Sequence, residues 1–383
     1  MVVEYTDSQK RIIEQVDEFC DSHVTEEQVR QWVSFGGVPL SFNDDLRQTK
    51  LWDYILPPVL GGVDDRHVER ATIIERFMYR AGATLPLLSD MMSFAFLSTM
   101  RDKSQKEILE ELTTRNRLAF SIAFTESSSG STSGTVGTTV SWSGTAAHLD
   151  GEKTFVSGGQ FMPEVLVLAN DPIFGAKDGG LSLWLVPVDA PGVQTFPIDA
   201  VGQQMLCPAV VSFEGVKLDL DWQIQTEGKL DSMLKRMYEL GRLFVSASSL
   251  GLAEAALDDA VNYAGQRMVK GRLLSSLPDI QQKIVEMEAR VREMQMFVYD
   301  AASVMGDGDE THLNVALMKH EVPAKAVQVA SDAMQIFGAR GYTSAVRAGR
   351  IWRDCRGNQV AQGTDEVMTH IASKFIVKKY RDR

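Results

Sequence analysis

The sequence predicts a mainly α-helical protein with a β domain in its middle. Three observations carry this. Apolar residues recur every three or four positions before about residue 115, and the same period returns after Gly228. Between those stretches the chain becomes rich in Ser, Thr, Gly and Val, and its apolar residues come in short runs. The 383 residues are enough for two or three packed units around a large core. The expected boundaries are 1–117 for an N-terminal helical domain, 118–226 for a middle β-barrel or sandwich, and 227–383 for a C-terminal four-helix bundle.

The elements follow in order. Thr6 or Asp7 caps a first helix through Ser22, with Ile12, Ile13, Val16 and Phe19 on one face. Leu56-Pro-Pro-Val-Leu-Gly-Gly62 reads as a loop, because Pro removes donors and Gly permits positive φ. Ser104 with Glu107 forms a capping-box signal. The runs Leu118–Phe124, Val165–Leu168, Leu181–Val186 and Val210–Phe213 read as strands, and Asp150-Gly151 as a hairpin turn. Ser127-Ser-Ser-Gly-Ser-Thr-Ser-Gly134 is a loop that is either mobile or wrapped on a ligand. Two long stripes follow: Met233, Met237, Leu240, Phe244, Ala247, Leu250, Ala253 and Leu257, then Ile280, Ile284, Met287, Val291, Met294 and Val298. Each stripe buries one side of a long antiparallel helix. Pro323 should kink or interrupt the third helix of the set.

Bulk properties exclude some functions. Hydrophobic residues make up 44% and charged residues 23%, as in an ordinary globular protein. A net charge of -12 argues against a broad nucleic-acid footprint, though a few Arg or Lys can still hold a phosphate. Cys20, Cys207 and Cys355 are too scattered for a disulfide framework or a metal site, which implies a reducing compartment and no metal. The N-terminus shows no basic and apolar leader, and no apolar run reads as long enough to span a bilayer, so the cytoplasm is the expected location.

Several motifs carry chemistry. Phe124-Thr-Glu-Ser-Ser-Ser-Gly-Ser131 offers hydroxyls and, at Gly130, a close backbone approach. Asp150-Gly-Glu-Lys-Thr-Phe-Val-Ser157 offers an aromatic face at Phe155 and a hydroxyl at Ser157. Tyr263-Ala-Gly-Gln-Arg-Met-Val-Lys-Gly271 places the fork of Arg267, suited to phosphate, at a helix end. Gln335-Ile-Phe-Gly-Ala-Arg-Gly341 reads as a glycine-type helix cap. Gln362-Gly-Thr-Asp-Glu366 opens another helix, whose free N–H groups can hold an anion.

In order and spacing these motifs resemble the acyl-CoA dehydrogenase family over nearly the whole chain. The resemblance implies bound FAD, an acyl-CoA thioester as substrate, and oxidation or reduction at its α,β carbon–carbon bond. Phe124, Thr125, Ser131, Phe155 and Ser157 then hold the flavin, with Phe155 covering one ring face. Arg267, Gln281, Gln335 and Gly338 reach the FAD of a neighbouring protomer, and Thr364 and Glu366 close on the cofactor. Ser131, Arg242 and Gln362 contact the substrate. An electron-transfer flavoprotein and a homotetramer, or a heteromer with a paralogue, are the implied partners. Some positions depart from the family pattern: Ser127-Ser128-Ser129 replaces Pro-Gly-Ala, Thr132 replaces Asp, Lys270 replaces an aromatic, Leu277-Pro278 replaces Phe-Gln, and Ala339 replaces Gly.

One departure concerns the chemistry itself. The family's proton-abstracting Glu is Gln362 here, and an amide accepts no proton usefully. Some members carry the acid instead on the first long helix, just before an Arg; here that pair is Gly241-Arg242. Glu239 lies two residues earlier, about 200° round the helix. The N–H of residue 362 remains available to polarise a thioester carbonyl. Two readings follow: an active flavoenzyme with an unassigned base, or an impaired FAD- and acyl-CoA-binding subunit that pairs with an active paralogue.

Overall fold

The computed structural model describes residues 4–58, 61–63, 66–100, 107, 120–128, 136–226, 229–306 and 308–381. Ser104, Leu118, Gly130, Ser131 and Thr132 lie outside the described residues. α1 (Asp7–His23) starts at a capping box, in which Gln9 N–H donates to the Thr6 side chain and Thr6 N–H donates to the Gln9 side chain. Of the expected face, Ile12, Val16 and Phe19 are buried and Ile13 is half-buried. α2 (Glu26–Phe35), α3 (Leu40–Arg47), α4 (Leu51–Ile55), α5 (His67–Ala81) and α6 (Leu87–Leu97) follow.

The middle of the chain forms an eight-stranded sheet: β1 (Ser121–Ala123), β2 (Thr139–Ser143), β3 (Ala146–Val156), β4 (Glu164–Asn170), β5 (Leu181–Pro187), β6 (Val193–Pro197), β7 (Ala209–Leu218) and β8 (Gln223–Ile224). The spatial order is β6-β7-β3-β2-β4-β5-β8, with β1 parallel to β4. β4 shows why its sequence lacks polar alternation. Leu166 and Leu168 join the helical core on one face, while Val165, Val167 and Ala169 pack with Trp184, Val186 and Phe213 on the other.

Asp150-Gly151 is not the hairpin turn expected of it. The pair lies inside β3, at a register shift against β7 between Leu149 and Gly151. The turn from β2 to β3 is made at Gly144 instead, with φ 62°. Glycine is required at 151 because a Cβ there would stand 2.7 Å from Thr138 Cα. Bulges and tight turns both select Gly, so composition alone does not separate them.

The helical period returns as α7 (Leu230–Gln266), and a short hairpin of β9 (Met268–Val269) and β10 (Arg272–Leu273) leads to α8 (Pro278–Ser303). α9 (Asp309–Phe337), α10 (Ala348–Val360) and α11 (Asp365–Arg381) complete the chain. Every member of the 233–257 stripe is buried. α9 is the centre of the bundle, against α7, α8, α10 and α11. It runs unbroken through buried Pro323, so the proline does not interrupt it. Packing on several sides offsets the cost of a lost helical hydrogen bond, about 3 kcal/mol. α7 also corrects the reading of apolar length. It is long and apolar enough to cross a bilayer, but 83% of its most apolar window is buried inside the molecule. The N-terminal helices, the bundle and the inner face of the sheet share one continuous core.

Candidate active site

Phe155 is the clearest anomaly in the sheet. It is an aromatic at φ 52°, and 65% of its surface is exposed. Non-glycine residues rarely adopt this backbone region, and when bulky they do so under constraint. The constraint is a second irregularity of β3, between Lys153 and Val156. Thr154 N–H donates to Thr125 O at 2.9 Å, which sets the Thr-Glu loop beside Phe155. Ser157 lies just beyond, its carbonyl accepting from Ser121 Oγ at 2.8 Å.

Beneath this strip lies an ion pair that the sequence did not announce. Lys153 Nζ donates to Glu126 Oε1 at 2.7 Å, and both side chains are buried. Glu126 also accepts from Gly137 N–H at 2.6 Å and Thr138 N–H at 2.9 Å. Burial works against the Glu126 carboxylate, but the bonds from Lys153, Thr138 and Gly137 outweigh it and hold the carboxyl at about 2. Glu126 therefore closes the neck of the Ser-rich segment, and Lys153 braces the strand that presents Phe155.

A second group of expected residues gathers at the ends of α7 and α9. Arg267 caps α7, its N–H donating to Tyr263 O, and its carbonyl accepts from Leu274 N–H at 2.7 Å. Tyr263 stacks on Phe337 with ring centroids 4.6 Å apart, so the Arg267 turn and the Gly338 turn are neighbours. Gly338 has φ 60°, and a Cβ at Gly341 would stand 2.5 Å from Met334 O. Arg267, Gln281, Gln335 and Gly338 are all exposed.

The third part is the turn between α10 and α11. Gln362 has φ 57° and Gly363 φ 106°. Arg242 Nε donates to Gln362 O at 3.3 Å. Lys319 Nζ donates to Gln359 O at 3.2 Å and Gly363 O at 3.1 Å. Among the described residues, no protein acceptor takes the N–H groups of Gln362, Gly363 or Thr364. Consecutive free N–H groups across left-handed backbone form a cradle for an anion or a polarised carbonyl. Thr364 immediately precedes α11, in whose first turn Glu366 is exposed.

Gln362 and Gly241, distant in sequence, adjoin in space. A Cβ on Gly241 would stand 2.7 Å from Gln362 Cδ. The two positions where a carboxylate was sought are thus one place, and it holds an amide and a glycine. Glu239 turns away, buried and hydrogen-bonded to His312.

α10 is fixed by polar ties that sequence reasoning missed. Buried Asp354 accepts from Thr84 N–H at 2.7 Å and from Gln203 N–H at 2.6 Å. One helical turn on, Asn358 accepts from Gln203 Nε2 at 2.6 Å and donates to Ser248 Oγ at 3.1 Å. Lys319 was missed as well, although a signal existed: it is a lone Lys among Val315, Ala316, Met318, Val322 and Ala326 on the buried face of α9.

An exposed, constrained aromatic beside a hydroxyl-bearing loop, with free N–H groups elsewhere, fits a flat cofactor with a polar edge. Comparisons with known proteins agree. The acyl-CoA dehydrogenase middle-domain family model matches residues 121–216, and the C-terminal-domain model matches 231–377. The chain is 27% identical to YdiO of Escherichia coli, described as a probable acyl-CoA dehydrogenase, over 99% of both. It is 32% identical to an acyl-CoA dehydrogenase from Slackia heliotrinireducens, with TM-score 0.90 over 99% of this chain and 98% of that one. A glutaryl-CoA dehydrogenase from Mycobacterium smegmatis, solved with FADH2, shares the fold at 18% identity and TM-score 0.85, covering 97% and 95%. The chain belongs to the acyl-CoA dehydrogenase family, whose members bind FAD.

Proposed function

We propose that this chain is an FAD-dependent oxidoreductase acting on the α,β carbon–carbon bond of an acyl-CoA thioester. The observation that carries this is the turn at Gln362, with its carbonyls bound to cations and its N–H groups unclaimed, set against Gly241 of α7. Phe124, Thr125, Ser131, Phe155 and Ser157 hold the flavin from one protomer. Arg267, Gln281, Gln335 and Gly338 reach it from a neighbour, within a homotetramer built of three units per chain, 1–117, 118–226 and 227–383. Thr364 and Glu366 close on the cofactor, and an electron-transfer flavoprotein exchanges its electrons.

FAD, when bound, would supply the acceptor or donor of a hydride at the substrate β-carbon. The Gln362 N–H donates to the thioester carbonyl, which makes the α-proton more acidic. Arg242 and Ser131 orient the thioester. Neither Gln362 nor Gly241 can take that proton, so it passes to a base not yet assigned or to water. The same absence supports a second reading, a subunit impaired in proton transfer that pairs with an active paralogue.

Restoring the acid tests both. With an artificial electron acceptor, wild type should show weak or no dehydrogenation of simple saturated acyl-CoAs. Gln362→Glu is nearly isosteric, and general-base catalysis is worth about 10²–10⁴-fold in rate, so the variant should gain at least about tenfold. Robust wild-type activity would mean that another residue is the base and would end the impaired-subunit reading. A variant that binds FAD and acyl-CoA yet gains nothing would end the dehydrogenase reading.

A further inference from the structure

Lys319 is wholly buried, in the middle of an otherwise apolar helix face. Burying an ammonium is expensive unless its hydrogen bonds are met by strong acceptors. Its two acceptors are backbone carbonyls, Gln359 O on the last turn of α10 and Gly363 O in the turn that follows. Arg242 takes Gln362 O between them. Three carbonyls of one short segment are thus drawn toward two cations. In a trans peptide the N–H points opposite to its carbonyl, so holding the carbonyls of Gln362 and Gly363 fixes the directions of the Gly363 and Thr364 N–H groups. The left-handed conformation of Gln362 costs about 1–2 kcal/mol for a residue with a Cβ, and something must hold it.

We propose that Lys319 is a positioning residue of the thioester site, holding the turn at Gln362 in its ligand-receiving shape through the carbonyls of Gln359 and Gly363. What the turn binds rests on the acyl-CoA reading above; what holds the turn does not. The charges acting on Lys319 are Asp365 of α11, which favours its ammonium form, and Arg242 of α7, which opposes it. Burial is the largest influence and pushes the ammonium down to about 8. A pKa lowered by burial favours the neutral amine as pH rises, and a neutral amine still donates, so the grip comes from the two hydrogen bonds and not from titration.

Two measurements on wild type, Lys319→Arg and Lys319→Met test it. The first is hydrogen exchange of the amides at 361–366 in the FAD-loaded protein without ligand. Corrected for the intrinsic pH dependence of exchange, protection should be high in wild type, largely kept in Lys319→Arg, whose guanidinium can still donate to the two carbonyls, and low in Lys319→Met. The second is binding of butyryl-CoA at pH 7.5, followed by the flavin absorption spectrum. Affinity should fall by about tenfold in Lys319→Met and by less in Lys319→Arg. Lys319→Met with wild-type protection at 361–366, or Lys319→Arg as unprotected as Lys319→Met, would overturn the proposal. If Lys319→Met fails to fold, Lys319→Gln takes its place and the same outcomes decide. Exchange behaving as expected while butyryl-CoA binds to none of the three would uphold the role of Lys319 in shaping the turn and count against the acyl-CoA reading instead.

Discussion

Phe155 spends conformational energy to stay in solvent. Its φ of 52° costs an L-residue about 1–2 kcal/mol, and with 65% of its surface exposed it recovers little by burial. A glycine in its place would be free of that strain but would lose more backbone entropy on folding. Phe155→Gly should therefore raise the stability of the flavin-free protein by about 0.5–1 kcal/mol, read as a higher urea midpoint, while the holoprotein loses FAD faster on gel filtration. A lower midpoint would mean that the ring packs rather than waits for a ligand. Lys319 is the opposite kind of residue, wholly buried and hydrogen-bonded to two backbone carbonyls.

At the scale of elements, what the sequence made legible was whatever reports burial locally. The stripes of α7 and α8 did so at helical spacing: every position of the α7 stripe is buried, as are Met287, Val291, Met294 and Val298 of α8, while Ile280 and Ile284 are half-buried. The bulges of β3 were not legible, because a Gly or a constrained Phe carries no mark of which strand it opposes. Nor was the continuity of α9 through Pro323, which packing decides. The Glu126–Lys153 pair spans 27 positions and joins two motifs, each of which was read only for its neighbours. That pair has a measurable sign. The Glu126 carboxyl sits at about 2 against an ordinary 4.5, so its stabilisation is complete above pH 4.5 and is lost as pH falls toward 2. Glu126→Ala leaves Lys153 charged and buried, and should cost about 3–5 kcal/mol in urea unfolding at neutral pH. The difference between wild type and variant should narrow between pH 4.5 and pH 3; a constant difference would show that the charge is not what matters.

The whole molecule is tied through α10. Asp354 accepts one N–H from the loop after α5 and one from the segment between β6 and β7, so helices, sheet and bundle meet on a single carboxyl group. Burial pushes that carboxyl above its ordinary range, though the two N–H groups pull the other way. Asp354→Ala would strand two backbone donors, each costing about 1–3 kcal/mol, so a loss of about 2–6 kcal/mol is expected by urea unfolding. Asp354→Asn should recover part of it, having one oxygen to offer. A loss confined to the helical signal, with tryptophan fluorescence unchanged, would show that the tie is local.

The closed neck at Glu126 makes the Ser-rich segment a replaceable part. Its two flanks are joined through one carboxylate, which accepts from Gly137 and Thr138 N–H. Doubling the length of such a segment adds only about 0.6 kcal/mol of closure entropy. Changes of length between those flanks should therefore cost little in closure entropy, and the three serines at 127–129 stand in that stretch. Lineages sharing this scaffold are free to diverge in what they grip while keeping how they fold, and a grafted peptide could enter at the same point.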